Sequence, residues 1–168
     1  MERHQCLKAP AWRVSQWLNT QEPIELEAQR GRVIVACAFQ MLCPGCVSQA
    51  IPQLKAIHQH FASEDVLVIG IHSVFEHHQA MTVTALEAFL SENQIRFPVA
   101  VDQHLPDGGG TPETMKAYKM RGTPTWLLID RNGDLRHQAF GHVEDLRLGA
   151  EIARLALESV TPVAASNV

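Results

Sequence analysis

Arg32 to Ala50 reads RVIVACAFQMLCPGCVSQA, and the order of its parts decides the fold. The near-continuous apolar run RVIVACAF (32–39) has the composition of a strand buried on both faces. It gives way to Cys43-Pro44-Gly45-Cys46 and then to an amphipathic stretch, Ser48 to Phe61, with helical spacing. Pro44 falls at the first helical position, where its missing N–H costs nothing and its fixed φ suits the helix. The Cys43 sulfur then faces unpaired backbone N–H groups at the positive end of the helix, an arrangement that suits a nucleophile. Cys46, one turn later on the same helix, lies within disulfide range and is shielded.

Working outward, VLVIGIH (66–72), FPVAV (97–101) and TPTWLLID (123–130) are further short apolar runs, and they predict a mostly parallel sheet. Helical spacing recurs over Thr84 to Asn93, with Leu86, Phe89 and Leu90 on one side, and in a short piece around Pro112 to Tyr118. Asn132-Gly133 sits between two strand-like runs and predicts an antiparallel hairpin. A last helix is expected over about Val143 to Glu158. The order β-α-β-α-β-α-β-β-α describes an α/β domain with a mixed sheet and helices on both faces.

The chain has 168 residues, 46% of them hydrophobic, enough for one domain with a real core and too few for two full ones. Fourteen Lys+Arg against 18 Asp+Glu give a net charge of −4, which leaves no basic field for nucleic acid or anionic lipid. No run approaches the roughly 18 apolar residues of a membrane span, and the first residues lack a signal-like apolar stretch. The expected address is the cytoplasm. Four cysteines, Cys6, Cys37, Cys43 and Cys46, are too few for a disulfide scaffold. CxxC between strand and helix reads as a redox dithiol; half of a zinc site is the alternative, although no second CxxC accompanies it.

Taken together, these residues resemble the thioredoxin superfamily and, within it, the TlpA/ResA-like redoxin branch. Three stretches carry the resemblance, which runs from about Pro10 to Leu157: VIVACAFQML leading into Cys43-Pro44-Gly45-Cys46, Gly122-Thr123-Pro124-Thr125 opening WLLID, and the hairpin Arg131 to Asp134 followed by Gly141. The resemblance implies a single thioredoxin-like domain over residues 1–168, with its core at about 10–158. Val74 to Val101 resembles the central helix-strand insertion of this branch. Cys43 is implied as the catalytic nucleophile and Cys46 as the resolving partner, the two closing a redox-active disulfide. Pro124 is implied to be cis against the cysteines, and Thr123 with Pro124 to hold an extended substrate segment by its main chain. The activity implied is that of a thiol–disulfide oxidoreductase acting as a disulfide reductase on protein or low-molecular-weight disulfides. An external thiol supplies the electrons, and no bound cofactor is expected.

The sequence also departs from the family pattern. Leu42 replaces the tryptophan that usually precedes the first cysteine, Pro44-Gly45 reverses the Gly-Pro of thioredoxin, and Cys37 occupies the place of its buried acid. Inside its apolar strand Cys37 reads as a small hydrophobe, and Cys6 as an incidental thiol. His72, His77, His78 and His104 all follow strands parallel to the one that precedes Cys43, so they gather on its sheet edge. Asp107 to Thr111 lacks the Lys-Ser/Thr ending of a P-loop and reads as a connector. Trp126 and Phe97 are expected in the core. A thiol peroxidase is a rival reading, but Ala36 and Gln40 stand where its Pro and Thr/Ser would be. The other rival is a non-enzymatic module that senses redox state or binds zinc through CxxC with His72 or His78.

Overall fold

A computed structural model describes residues 7–61, 63–105 and 110–160. Cys6, Asp107 to Gly109 and the ends of the expected domain lie outside the described residues. β3 (Val33–Phe39) is buried along its whole length, as the apolar run requires. Its side chains alternate: Val33, Val35, Cys37 and Phe39 enter one core cluster, while Ile34, Ala36 and Ala38 enter another on the opposite face.

Around β3 the sheet has seven strands in the order β1-β7-β6-β3-β4-β5-β2. Its members are β1 (Leu7–Lys8), β2 (Val14–Leu18), β4 (Val66–His72), β5 (Val99–Asp102), β6 (Thr125–Ile129) and β7 (Asp134–Phe140). Only β3–β4 and β4–β5 are parallel; β6 runs antiparallel to β3, and β7, β1 and β2 pair antiparallel as well. The sheet is mixed, as expected, but the narrower expectation of mostly parallel pairing is corrected. Burial on both faces, which the apolar runs encode, does not specify strand direction.

Helices cover both faces. α1 (Ile51–His60), α2 (Val83–Glu92) and α4 (Asp145–Leu157) bury Ile51, Leu54, Leu86, Leu90, Ile152 and Leu155 on the face of Val35 and Cys37. Each fully buried Leu or Ile contributes about 1.5–3 kcal/mol. The short α3 (Glu113–Ala117) covers the other face with Met115, beside Tyr118 and Met120. Trp126 and Phe97 are buried in the first cluster.

Local chemistry fixes the ends of these elements. Thr82 caps α2, its hydroxyl accepting the Ala85 N–H. α3 has no side-chain cap of its own; the buried Asp102 of β5 supplies one across space, accepting the Thr114 and Met115 N–H groups and the Ser73 hydroxyl. In the β6–β7 turn the Asp130 carboxylate accepts the Asn132 and Asp134 N–H groups, and Gly133 takes φ 78°. The segment over Val74 to Val101 contributes α2 and β5, and β5 extends the sheet beside β4. Two strands were unforeseen: β1 and β2 arise from N-terminal residues too polar to read as strands, since each pairs at a sheet edge with much of its surface exposed.

Candidate active site

Cys43 leaves the carboxyl end of β3 and sits where the helix begins. Its carbonyl accepts the Cys46 and Val47 N–H groups, and its own N–H donates to the Gln40 carbonyl at 3.2 Å. The first turns are wide: over Cys46–Ala50 the bonding is π-helical, with the Ile51 N–H reaching the Cys46 carbonyl, before α1 continues in ordinary register. Pro52 explains the slip. It has no N–H for the Ser48 carbonyl, and its ring would crowd that oxygen in a regular helix.

The two sulfurs face each other at 2.6 Å as free thiols, and the Cys43 sulfur also accepts the Cys46 N–H at 3.3 Å. Cys43 is half-buried, and Cys46 is wholly buried beneath it. Across the turn, the Thr123–Pro124 peptide is cis, and the Thr123 carbonyl lies 3.4 Å from the Cys43 sulfur. A Cβ added to Gly45 would sit 3.6 Å from Pro124 Cδ, so the proline ring lies directly over the turn between the cysteines. Thr125 Oγ donates to the Gly122 carbonyl at 2.6 Å and Gly141 N–H to the Pro124 carbonyl at 2.8 Å, which pins this loop. Leu42 is 57% exposed and Val47 38% exposed, an apolar rim beside the half-buried Cys43 sulfur.

Burial pushes the Cys46 thiol up to about 12, with its hydrogen bond to Cys43 as the next cause; the Gln40 backbone and the Thr123 hydroxyl act the other way by favouring its anion. Cys37, beneath the pair on β3, is pushed well up, first by burial and then by Cys46 and Cys43. It stays a neutral thiol packed in the core cluster.

The histidines form a separate group. His72, His78 and His104 line a cavity of about 700 Å³ at the carboxyl ends of β4 and β5, with Val74, Met81 and Asp102. No cysteine lines it. The His104 Nε2 bonds the Val74 carbonyl at 2.6 Å, and its ring meets that of His78 edge-on. His72 is buried against Phe39 with Nε2 unpartnered; burial and then His104 hold it down to about 4. His77 lies in the preceding loop at φ 50° and is not part of this lining. Among the described residues, no group of three or more His, Cys, Asp or Glu is placed to hold a metal ion, and no helix is long and apolar enough to cross a membrane.

Gln40 was visible in the sequence only as a residue that breaks the peroxidase frame. It is 1% exposed and hydrogen-bonded on both sides. The available signal was a lone amide closing a wholly apolar strand three residues before Cys43.

Comparison with known proteins follows this geometry. Residues 7–148 match the redoxin family model. The crystal structure of a thioredoxin-like superfamily protein superposes with a TM-score of 0.89 at 52% identity, covering 92% of this chain and 99% of that one. A thiol-disulfide isomerase from Corynebacterium glutamicum gives 0.85 at 46% identity, covering 90% and 98%. Protein DipZ of Mycobacterium bovis is 27% identical over 151 residues; the match covers 89% of this chain and 20% of DipZ, so the chain spans about a fifth of that relative's length. The fold is also that of an exposed lipoprotein thioredoxin from Streptococcus pneumoniae, at TM-score 0.63 and 19% identity, covering 86% and 98%. This overturns the cytoplasmic address. A cellular address is set by leaders and anchors rather than by the composition of a folded redox domain, and this fold also serves on the outside of cells.

Proposed function

The chain belongs to the redoxin family, and from that premise we propose that it is a thiol–disulfide oxidoreductase of the TlpA/ResA-like kind, working as a disulfide reductase through Cys43 and Cys46. The observation that carries the reading is the facing pair of free thiols, one half-buried and one buried, under the Pro124 ring. Cys43 attacks a disulfide of a protein or a small molecule; the substrate S–S bond breaks, one substrate sulfur leaves as thiolate, and a mixed disulfide forms on Cys43. Cys46, as thiolate, then attacks the Cys43 sulfur, the second substrate thiolate leaves, and the Cys43–Cys46 disulfide holds the two electrons' worth of oxidation. An external thiol reduces it again. Thr123 and Pro124 present the main chain against which an extended substrate segment lies.

The reducing direction is the one the family resemblance implies, and Cys46, buried and hard to ionise, adds no thiolate stabilisation to the reduced pair. The inserted α2 and β5 support the TlpA-like placement. The test is turnover of a protein disulfide such as insulin in the presence of excess dithiol. We expect catalysed reduction well above the rate of the dithiol alone; equality of the two rates contradicts the proposal.

A further inference from the structure

The histidines gathered on the sheet edge take no part in the dithiol chemistry, and one of them is left incomplete. His72 is 2% exposed, it forms part of the wall of the cavity at the carboxyl ends of β4 and β5, and its Nε2 has no hydrogen-bond partner. A buried polar atom in that state is costly, and a group entering the cavity can complete it. The cavity, about 700 Å³, falls within the size range of small-molecule sites and is many times the roughly 30 Å³ share of one water.

The wall selects the kind of molecule. Among the described residues that line it there is no Lys or Arg, so an anion finds no fixed positive charge. Its one carboxylate, Asp102, is committed to the Ser73 hydroxyl and to the Thr114 and Met115 N–H groups, which leaves little for a cation. Nor are three His, Cys, Asp or Glu placed among the described residues to hold a metal. The occupant is therefore uncharged. A neutral imidazole nitrogen either carries a hydrogen or lacks one, according to tautomer, and a hydroxyl, which both donates and accepts, pairs it either way. Beside His72 the wall turns apolar with Val74, Met81, Val83 and Val101, and the His78 and His104 rings meet edge-on with centroids 5.2 Å apart. Thioether and ring edges are favourable company for an aromatic body. We propose that this cavity binds a small neutral phenol, its ring against the apolar wall and its hydroxyl paired with His72 Nε2. The inference goes beyond the dithiol reading, since no cysteine lines the cavity.

Titration of the full chain with phenol at neutral pH, followed through the imidazole NMR signals of His72, His78 and His104, tests the site. Phenol stays protonated there, as a tyrosine side chain does. Toluene, which lacks the hydroxyl, and benzoate, which is charged, are the comparators. We expect saturable shifts of these signals with phenol at a Kd of about 1 mM or below, and binding of toluene and of benzoate weaker by at least about tenfold. His72→Phe keeps a ring in the wall and removes the nitrogens; it should weaken phenol about tenfold and leave toluene unchanged. The phenol–toluene difference in the wild-type chain reads the same hydrogen bond if His72→Phe does not fold. The proposal is overturned by the absence of a saturable shift with phenol, which would leave water as the only occupant. Toluene or benzoate binding as tightly as phenol overturns it too, as does a folded His72→Phe that binds phenol as the wild type does.

Discussion

At the carboxyl end of β3, Cys43 and Cys46 meet each other and Thr123; at the carboxyl ends of β4 and β5, two strands along the same sheet edge, His72, His78 and His104 gather around a cavity. Burial neutralises a titratable group in both places, pushing the acid Cys46 up to about 12 and the base His72 down to about 4. The difference lies in the partners. The Gln40 backbone and the Thr123 side chain favour the Cys46 anion, and the half-buried Cys43 thiol stands next to it. The buried His72 Nε2 has no partner at all. On the proposed mechanism the first region is charged transiently during turnover, whereas the second remains neutral.

The largest effect should fall on the dithiol. Cys43→Ser is expected to lower disulfide turnover at least about a thousandfold, because no second solvent-reachable sulfur stands at the turn. Cys46→Ser should instead accumulate the substrate as a mixed disulfide on Cys43, visible as an intact-mass increment. Activity retained by Cys43→Ser would erase the contrast between the regions.

The histidine side should answer to acid rather than to substrate. His72 is held below its ordinary 6.5 in the folded protein, so the folded state resists protonation and the stability it retains above pH 6.5 is lost as pH falls toward 4. Spread over that window the loss from this group amounts to about 3 kcal/mol. His72→Leu should flatten the decline relative to wild type in urea unfolding at stepped pH; parallel curves would show that His72 is not the group responsible.

Asp102 lines the same cavity but differs from His72 in having its oxygens filled. Asp102→Asn places an NH₂ against the N–H groups of α3 and should cost about 1–3 kcal/mol in denaturant unfolding, leaving thiol reactivity intact. No loss of stability would mean that α3 is anchored by its apolar contacts alone. The smallest effect is expected at the rim: Leu42→Ser should raise KM for a protein disulfide about two- to fivefold while leaving a small disulfide unaffected. Equal changes for both substrates would place Leu42 outside the docking surface.

The same contrast bears on what could be read in advance. β4 was legible to the residue, and β3 and the β6–β7 hairpin nearly so, because an apolar run and Asn132-Gly133 encode burial and a turn directly. The cysteine turn was legible because its spacing is local. The pairing of Gln40 was not, since Phe75 and Thr123 are far away in sequence and joined to it only by tertiary contact. The histidines could be placed on their edge by topology, yet the lack of a hydrogen-bond partner at His72 Nε2 is a property of packing that spacing does not carry. Strand direction at β6 and the edge strand β2 were hidden for related reasons: neither sheet polarity nor pairing at a half-exposed edge leaves a pattern in the residues.

A redox titration of the purified protein in dithiothreitol buffers of defined ratio, with alkylation mass shifts assigned to Cys43 and Cys46, tests the central claim most directly. The account predicts one two-electron transition shared by the two cysteines, nearer thioredoxin's roughly −270 mV than the roughly −120 mV of a strong oxidant. A pair that stays alkylatable across the whole series, or two cysteines that titrate independently, would contradict it.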